Sequence, residues 1–178
     1  MTADNFARFV SAPENSDRRF ELIDGQLVEK LPTMLQGVIK AQLGGELGIY
    51  LRENPVGWAG FSIEYSLPTD PLNVRSPDIS FTLKEGRTLL REGFVPYMPE
   101  IAVEVQLPEQ SDRFMQEKGD YYLAHGTKIV WIVYPRQQLV EVLTPSERHL
   151  LTINDMLTGG GVLPGFSVPI REIFPKVE

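Results

Sequence analysis

The sequence predicts a single α/β (α+β) domain over residues 1–178, a mixed β-sheet with helices on its faces. Three observations carry that expectation. The chain is 178 residues long, 42% hydrophobic and 23% charged, which is the size and balance of one compact domain able to bury a real core. Two segments, 34–54 and 111–126, read as helices, the first by apolar spacing and the second by its end signals. Several short stretches alternate apolar and polar residues, and one, "IVWIVY" at 129–134, is apolar throughout, as a strand buried on both faces must be.

Taken in order, residues 3–10 form a short helix with Phe6, Phe9 and Val10 on one side. "RFELIDGQLVEK", 19–30, is a β-hairpin, because two alternating runs flank Asp24-Gly25, a preferred tight-turn pair. In 34–54, Leu35, Val38, Ile39, Leu43, Leu47 and Tyr50 recur at helical spacing, and Asn54-Pro55 ends the run. Gly44 and Gly45 in its middle each weaken a helix by roughly 1 kcal/mol relative to Ala and allow close packing on a neighbour. Strands are expected at 58–66, 77–83 and 100–107, with a loop or short helix between the last two. For 111–126, Ser111 or Asp112 caps the start and Gly126 the end. After the apolar strand, "QQLVEVLT" and "RHLLTI" read as further antiparallel strands, and "LPGFSVPIREIFP" as a packed irregular segment with one helical turn.

Composition narrows the chemistry. Without cysteine there is no disulfide, thiolate nucleophile or cysteine zinc site, and the two histidines, His125 and His149, cannot make a multi-histidine centre. The N-terminal stretch has no apolar core of a signal peptide, and the longest apolar run is far too short to span a bilayer. A cytoplasmic protein without membrane contact is therefore expected. The net charge of −7 argues against tight non-specific nucleic-acid binding, which needs cations to displace counterions. It does not exclude a nucleic-acid enzyme, because a metal site itself carries carboxylates.

The informative constellation is "SPDISF" followed by "VEVQ". Asp78 and Ser80 share a face of one strand, and Glu104 and Gln106 share a face of the other. If those strands are neighbours, Asp78 and Glu104 converge, and two such carboxylates repel unless a cation or proton intervenes. Oxygen ligands of this kind suit Mg²⁺ or Mn²⁺. Lys118 and Tyr122 lie at i, i+4 on the following helix, where the lysine can reach back toward Glu104.

At these residues the sequence resembles the PD-(D/E)XK nuclease superfamily, and within it the bacterial Uma-two, restriction-endonuclease-like family. "FELIDGQLVE", "SPDISF", "VEVQLPEQSD" and "EKGDYYLAHGTKIVWIVYP" follow that family's order, the last through Lys118, Tyr122, Gly126, Trp131, Val133 and Pro135. The resemblance implies a restriction-endonuclease-like core with an N-terminal hairpin, and a Mg²⁺- or Mn²⁺-dependent endonuclease acting on DNA. Asp78, Glu104 and the Val105 carbonyl would be metal ligands; Asp78, Glu104, Gln106 and Lys118 would be the catalytic set. Gln106 stands where the superfamily has its lysine and is neutral, so Lys118 would take that role. Gln36 stands where the family often has a histidine, and Glu46 is a candidate further acid. A homodimer is expected by analogy of fold only.

Each residue also has a plainer reading. Asp78 can be a turn residue at a strand start, Glu104 the wet face of an edge strand, and Lys118 a solvated lysine beside Glu117 and Asp120. Tyr122 and Trp131 read as core, His125 as a helix C-terminal residue favoured by the dipole, and Arg87, Arg91 and Arg113 as solvated surface. Two other functions compete with a nuclease: a catalytically weakened module of the same fold that binds nucleic acid or protein, and a hydrolase of small phosphoesters.

Overall fold

The computed structural model describes residues 1–176. Its centre is a six-stranded mixed sheet in the order β3-β4-β5-β6-β7-β8. These strands are β3 (Gly57–Phe61), β4 (Ile79–Leu83), β5 (Ile101–Val105), β6 (Ile129–Tyr134), β7 (Leu139–Leu143) and β8 (Arg148–Leu151). Only the β5–β6 pair is parallel. A parallel pair needs a crossover, and α3 (Asp112–Ala124) supplies it. As expected from its unbroken apolar run, β6 is buried along its whole length. Trp131 is core, stacked on Phe166 with ring centroids 5.8 Å apart.

The sheet has two covered faces. Ile101, Val103 and Val105 point into a core with Ile39, Leu43 and Leu47 of α2 (Met34–Glu53). Ala102, Val130 and Ile132 point into a second core with Met115 and Tyr122 of α3. Each fully buried Val, Leu, Ile or Met side chain contributes about 1.5–3 kcal/mol, so packing against helices holds both faces of the sheet. Both helices start on side-chain caps: Thr33 accepts from Gln36 N–H at 3.2 Å and Ser111 from Phe114 N–H at 3.2 Å.

The N-terminal hairpin, β1 (Arg19–Ile23) and β2 (Gln26–Lys30), forms its own two-stranded sheet. Its turn residues Asp24 and Gly25 both have positive φ, 49° and 76°, which is the type I′ geometry the pair favours. Alternation gives the hairpin two faces. Phe20 and Leu22 pack with Phe6 of α1 (Ala3–Val10) in a third core, whereas Glu21 points the other way.

Two expectations are corrected. The strand expected at 58–66 stops at Phe61, because Ser62 adopts φ of 51° and breaks the extended run; Tyr65 then makes only isolated bridges to Arg75 and Val95. The tail is not irregular: β9 (Met156–Gly159) and β10 (Leu163–Pro169) form a bulged hairpin, followed by the expected helical turn, α4 (Ile170–Ile173). Leu157, Leu163, Phe166 and Val168 of that hairpin complete the α2-side core.

Candidate active site

Register brings the two acids together. β4 and β5 are antiparallel neighbours with Ile79 opposite Val103, so Asp78, just ahead of β4, stands beside Glu104. Since β5 lies between β4 and β6, Glu104 is interior and not on a wet edge. Both acids are nearly inaccessible, at 1% and 2% exposure. A carboxylate cannot stay there without partners.

Those partners come from four elements. Asp78 Oδ2 accepts from the Val105 N–H at 2.8 Å and from Gln36 Nε2 at 3.0 Å. Asp78 Oδ1 faces Lys30 Nζ at 3.3 Å and Lys40 Nζ at 3.4 Å. Glu104 Oε1 accepts from the Tyr122 hydroxyl at 2.8 Å, and Oε2 faces Lys118 Nζ at 2.8 Å and Lys30 Nζ at 3.9 Å. Lys118 also pairs with Glu21 Oε2 at 2.9 Å, while Glu21 Oε1 accepts from the Ser76 N–H at 2.8 Å. Lys118 and Tyr122 reach the same carboxylate because they sit one helical turn apart on α3.

Three carboxylates and three ammonium groups thus share one buried corner. Burial works to raise Glu21, but Lys118 and Lys30 overcome it and hold its carboxyl down at about 2. Burial dominates at Glu104 and pushes it above the usual carboxylate range, with Glu21 and Asp78 adding to the rise against Lys118 and Lys30. Burial works against the Lys30 charge, yet Glu21, Glu104 and Asp78 raise its pKa. The Tyr122 hydroxyl is pushed well up, first by burial and then by Glu104 and Glu21, so it remains a donor.

The sequence-derived candidates divide. Asp78, Glu104 and Lys118 are brought together, and the Val105 carbonyl adjoins them through Gln36, whose Nε2 lies 3.1 Å from it. Gln106 is not part of the group: its Nε2 donates to the Gln110 carbonyl at 3.1 Å and to Asp112 Oδ1 at 2.7 Å, beyond the end of β5. Glu46 is exposed on α2. Arg87 is tied to Glu100 at 2.6 Å, and Arg113 to Glu117 at 2.8 Å on the surface. Glu21, Lys30 and Lys40 were not singled out from the sequence. Glu21 had one available signal: a glutamate between Phe20 and Leu22 in an alternating strand must face something other than the α1 core.

The oxygen donors at the site are of the type a hard cation takes. Among the described residues no three His, Asp or Glu side chains are grouped for a metal. The protein donors are two carboxylates and one carbonyl, which suits Mg²⁺, an ion that keeps several waters. A cavity of about 290 Å³ opens onto Asp78 between Arg19, Lys30, Gln36, Lys40 and Phe61. A larger one, about 530 Å³, lies at Asp120, Leu123 and Arg148 and touches none of the site residues.

Comparison with known proteins bears on the fold and the family. A putative nuclease belonging to DUF820 from Anabaena variabilis ATCC 29413 has the same fold, with a TM-score of 0.81, 19% identity, and coverage of 98% of this chain and 97% of that one. No curated protein matches the chain. The Uma2 family, described as putative restriction endonuclease, matches residues 6–171. With the match spanning the hairpin, both acids and α3, the chain belongs to the Uma2 family of restriction-endonuclease-like proteins.

Proposed function

We propose that the chain is a metal-dependent endonuclease that hydrolyses phosphodiester bonds in DNA, using Mg²⁺ or Mn²⁺ held by Asp78, Glu104 and the Val105 carbonyl. One observation carries the reading: both carboxylates lie within 3.9 Å of a single cation, Lys30 Nζ, and Lys118 Nζ contacts the same Glu104 oxygen at 2.8 Å. Such a metal would lower the pKa of a bound water and neutralise charge on the phosphate. The chain's own groups do the rest. Tyr122 and Lys118 fix the Glu104 carboxylate, and Gln36 bridges Asp78 and Val105 O. Lys40 and Lys30, with side chains 17% and 11% exposed, stand at the mouth, where they can meet an anionic phosphate.

The test is cleavage of linear, supercoiled and single-stranded DNA with Mg²⁺ or Mn²⁺, comparing wild type with Asp78→Ala and Glu104→Ala. Cleavage that either substitution abolishes supports the reading. No cleavage under any condition, or cleavage that survives both changes, refutes it.

A second reading, a catalytically weakened binding module, is favoured by the neutral Gln106 turning toward Asp112. It is favoured also by the balance of three ammonium groups against three carboxylates. Calorimetry with Mn²⁺ separates the two: binding lost in Glu104→Ala supports the enzyme, and nucleic-acid binding without any metal binding supports the module.

A further inference from the structure

The wall of the cavity that opens onto Asp78 holds a residue the chemistry above leaves unused. Phe61 ends β3 and is 53% exposed. It is one of few large apolar side chains that the fold leaves so open beside the site. Two features fix it there. Gly44 of α2 has no side chain, and a Cβ at that position would overlap the Phe61 ring. The next residue, Ser62, takes a left-handed φ of 51° and donates its N–H to the Asp78 carbonyl at 3.3 Å. The ring is therefore laid across a gap in the helix and tethered one peptide from the backbone of a site acid.

Cations outnumber acids around the ring. The cavity is lined by Arg19, Lys30 and Lys40, and its only acidic lining residue is Asp78. Arg19 makes no ion pair among the described residues, although the whole chain carries a net charge of −7. A second cavity of about 290 Å³ shares Arg19, Lys30 and Ser62 with the first, adds Arg18, and has Glu64 as its acidic lining residue, which Arg19 faces. A half-exposed aromatic ring with Arg19, Lys30 and Lys40 beside it offers what a single nucleic-acid strand requires: cations for its phosphates and a ring on which a base can stack. A base paired within a duplex has no free face to offer.

We infer that this groove binds single-stranded or locally unpaired nucleic acid, with one unpaired base stacked on Phe61 and the flanking phosphates on Arg19 and Lys40. This rests on the nuclease reading only for the statement that the bound strand is also the one cleaved. An unpaired segment is thereby the substrate class of the site, whether it comes from a single strand or from a distorted duplex. The partner is selected by an accessible base face, not by a base sequence, since every base has one.

The test reads binding without cleavage. Full-length protein in EDTA is titrated against a fluorescein-labelled oligo-dT strand and against a duplex of equal length, by anisotropy. A second strand carries one 2-aminopurine, whose emission falls when it stacks. The single strand is expected to bind more tightly than the duplex. Phe61→Ala is expected to weaken the single strand about 5- to 140-fold and to leave the duplex unchanged. Phe61→Leu, which keeps apolar cover over Gly44, should lose the 2-aminopurine quench, and Phe61→Trp should keep it. Arg19→Ala should lower the slope of log affinity against log salt by about 1. Equal losses for strand and duplex, or a quench that survives Phe61→Leu, overturn the inference. So does a shift from dimer to monomer in Phe61→Ala with strand binding intact, which assigns the ring to a second copy. Cleavage with an insensitive Phe61 leaves the nuclease reading standing alone, and Phe61-dependent strand binding without any cleavage leaves this one.

Discussion

Replacing Lys118 by methionine removes one charge from the most buried part of the site and keeps most of the side-chain volume. Lys118 is 2% exposed and lies 2.9 Å from Glu21 and 2.8 Å from Glu104. With it gone, three carboxylates face two ammonium groups, and the surplus negative charge has no water to relax into. Breaking a buried pair in this way costs about 3–5 kcal/mol. The wild-type protein gives an independent scale. Glu21 is held at about 2 against an ordinary 4.5, and that separation corresponds to about 3 kcal/mol of stability above pH 4.5, lost as the pH falls toward 2. In Lys118→Met the burial that raises Glu21 and Glu104 loses its strongest opponent, so both folded pKa values move up. The variant's native state takes up protons more readily, so its deficit against wild type is greatest at high pH and shrinks as the pH falls through the raised values. Urea unfolding in EDTA at a series of pH values from 4 to 8 measures both. The expected result is a loss of about 3–5 kcal/mol at pH 8 that shrinks toward pH 5. Glu21→Gln added to Lys118→Met should recover much of it. A variant as stable as wild type at pH 8, or one whose deficit grows on acidification, refutes the charge account of the site.

Two further outcomes follow from particular contacts. Gln106→Ala should leave metal-stimulated cleavage within about twofold, since its amide is engaged with Gln110 and Asp112, while urea unfolding shows a loss of about 1 kcal/mol; a large fall in kcat instead would return Gln106 to the catalytic set. Gly44→Ala should leave the urea midpoint unchanged or raised, because alanine favours a helix by about 1 kcal/mol and the half-exposed Phe61 ring can swing aside. The same substitution should weaken the 2-aminopurine quench, and an unaltered quench would show that the ring's seat on α2 is unimportant.

Much of the scaffold is legible because local signals agree with the fold. Asp24-Gly25 dictates the hairpin turn, Ser111 caps α3, and the unbroken run of β6 demands burial on both faces. The site is legible where it follows from strand alternation and helical spacing, which covers Asp78, Glu104 and Lys118. It is not legible where position depends on docking. Glu21 and Lys30 enter the site because α1 and Val74 hold the opposite face of their hairpin; alternation within 19–30 says which face Glu21 takes but not what that face meets. Gln106 shares the Glu104 face on paper, but β5 ends at Val105 and the chain turns before the alternation can continue. In the tail, the Gly159–Gly161 turn and the Pro164-Gly165 pair hide the alternation of β9 and β10, and the strand content appears only once their apolar residues meet α2.

The Lys118–Glu21 pair joins residues 97 apart in the chain. On a ribosome moving at about 5–20 residues per second, Glu21 emerges roughly 5–20 s before its partner. During that interval the hairpin can close and α1 can cover one face, while on the other face Glu21 has Lys30 of its own hairpin but not yet the Lys118 ammonium. A chain cut short before α3 therefore displays Asp78 and Glu104 without the ammonium and hydroxyl that orient Glu104. Assembly of the site thus waits for α3: an unfinished copy lacks the ammonium and hydroxyl that complete it.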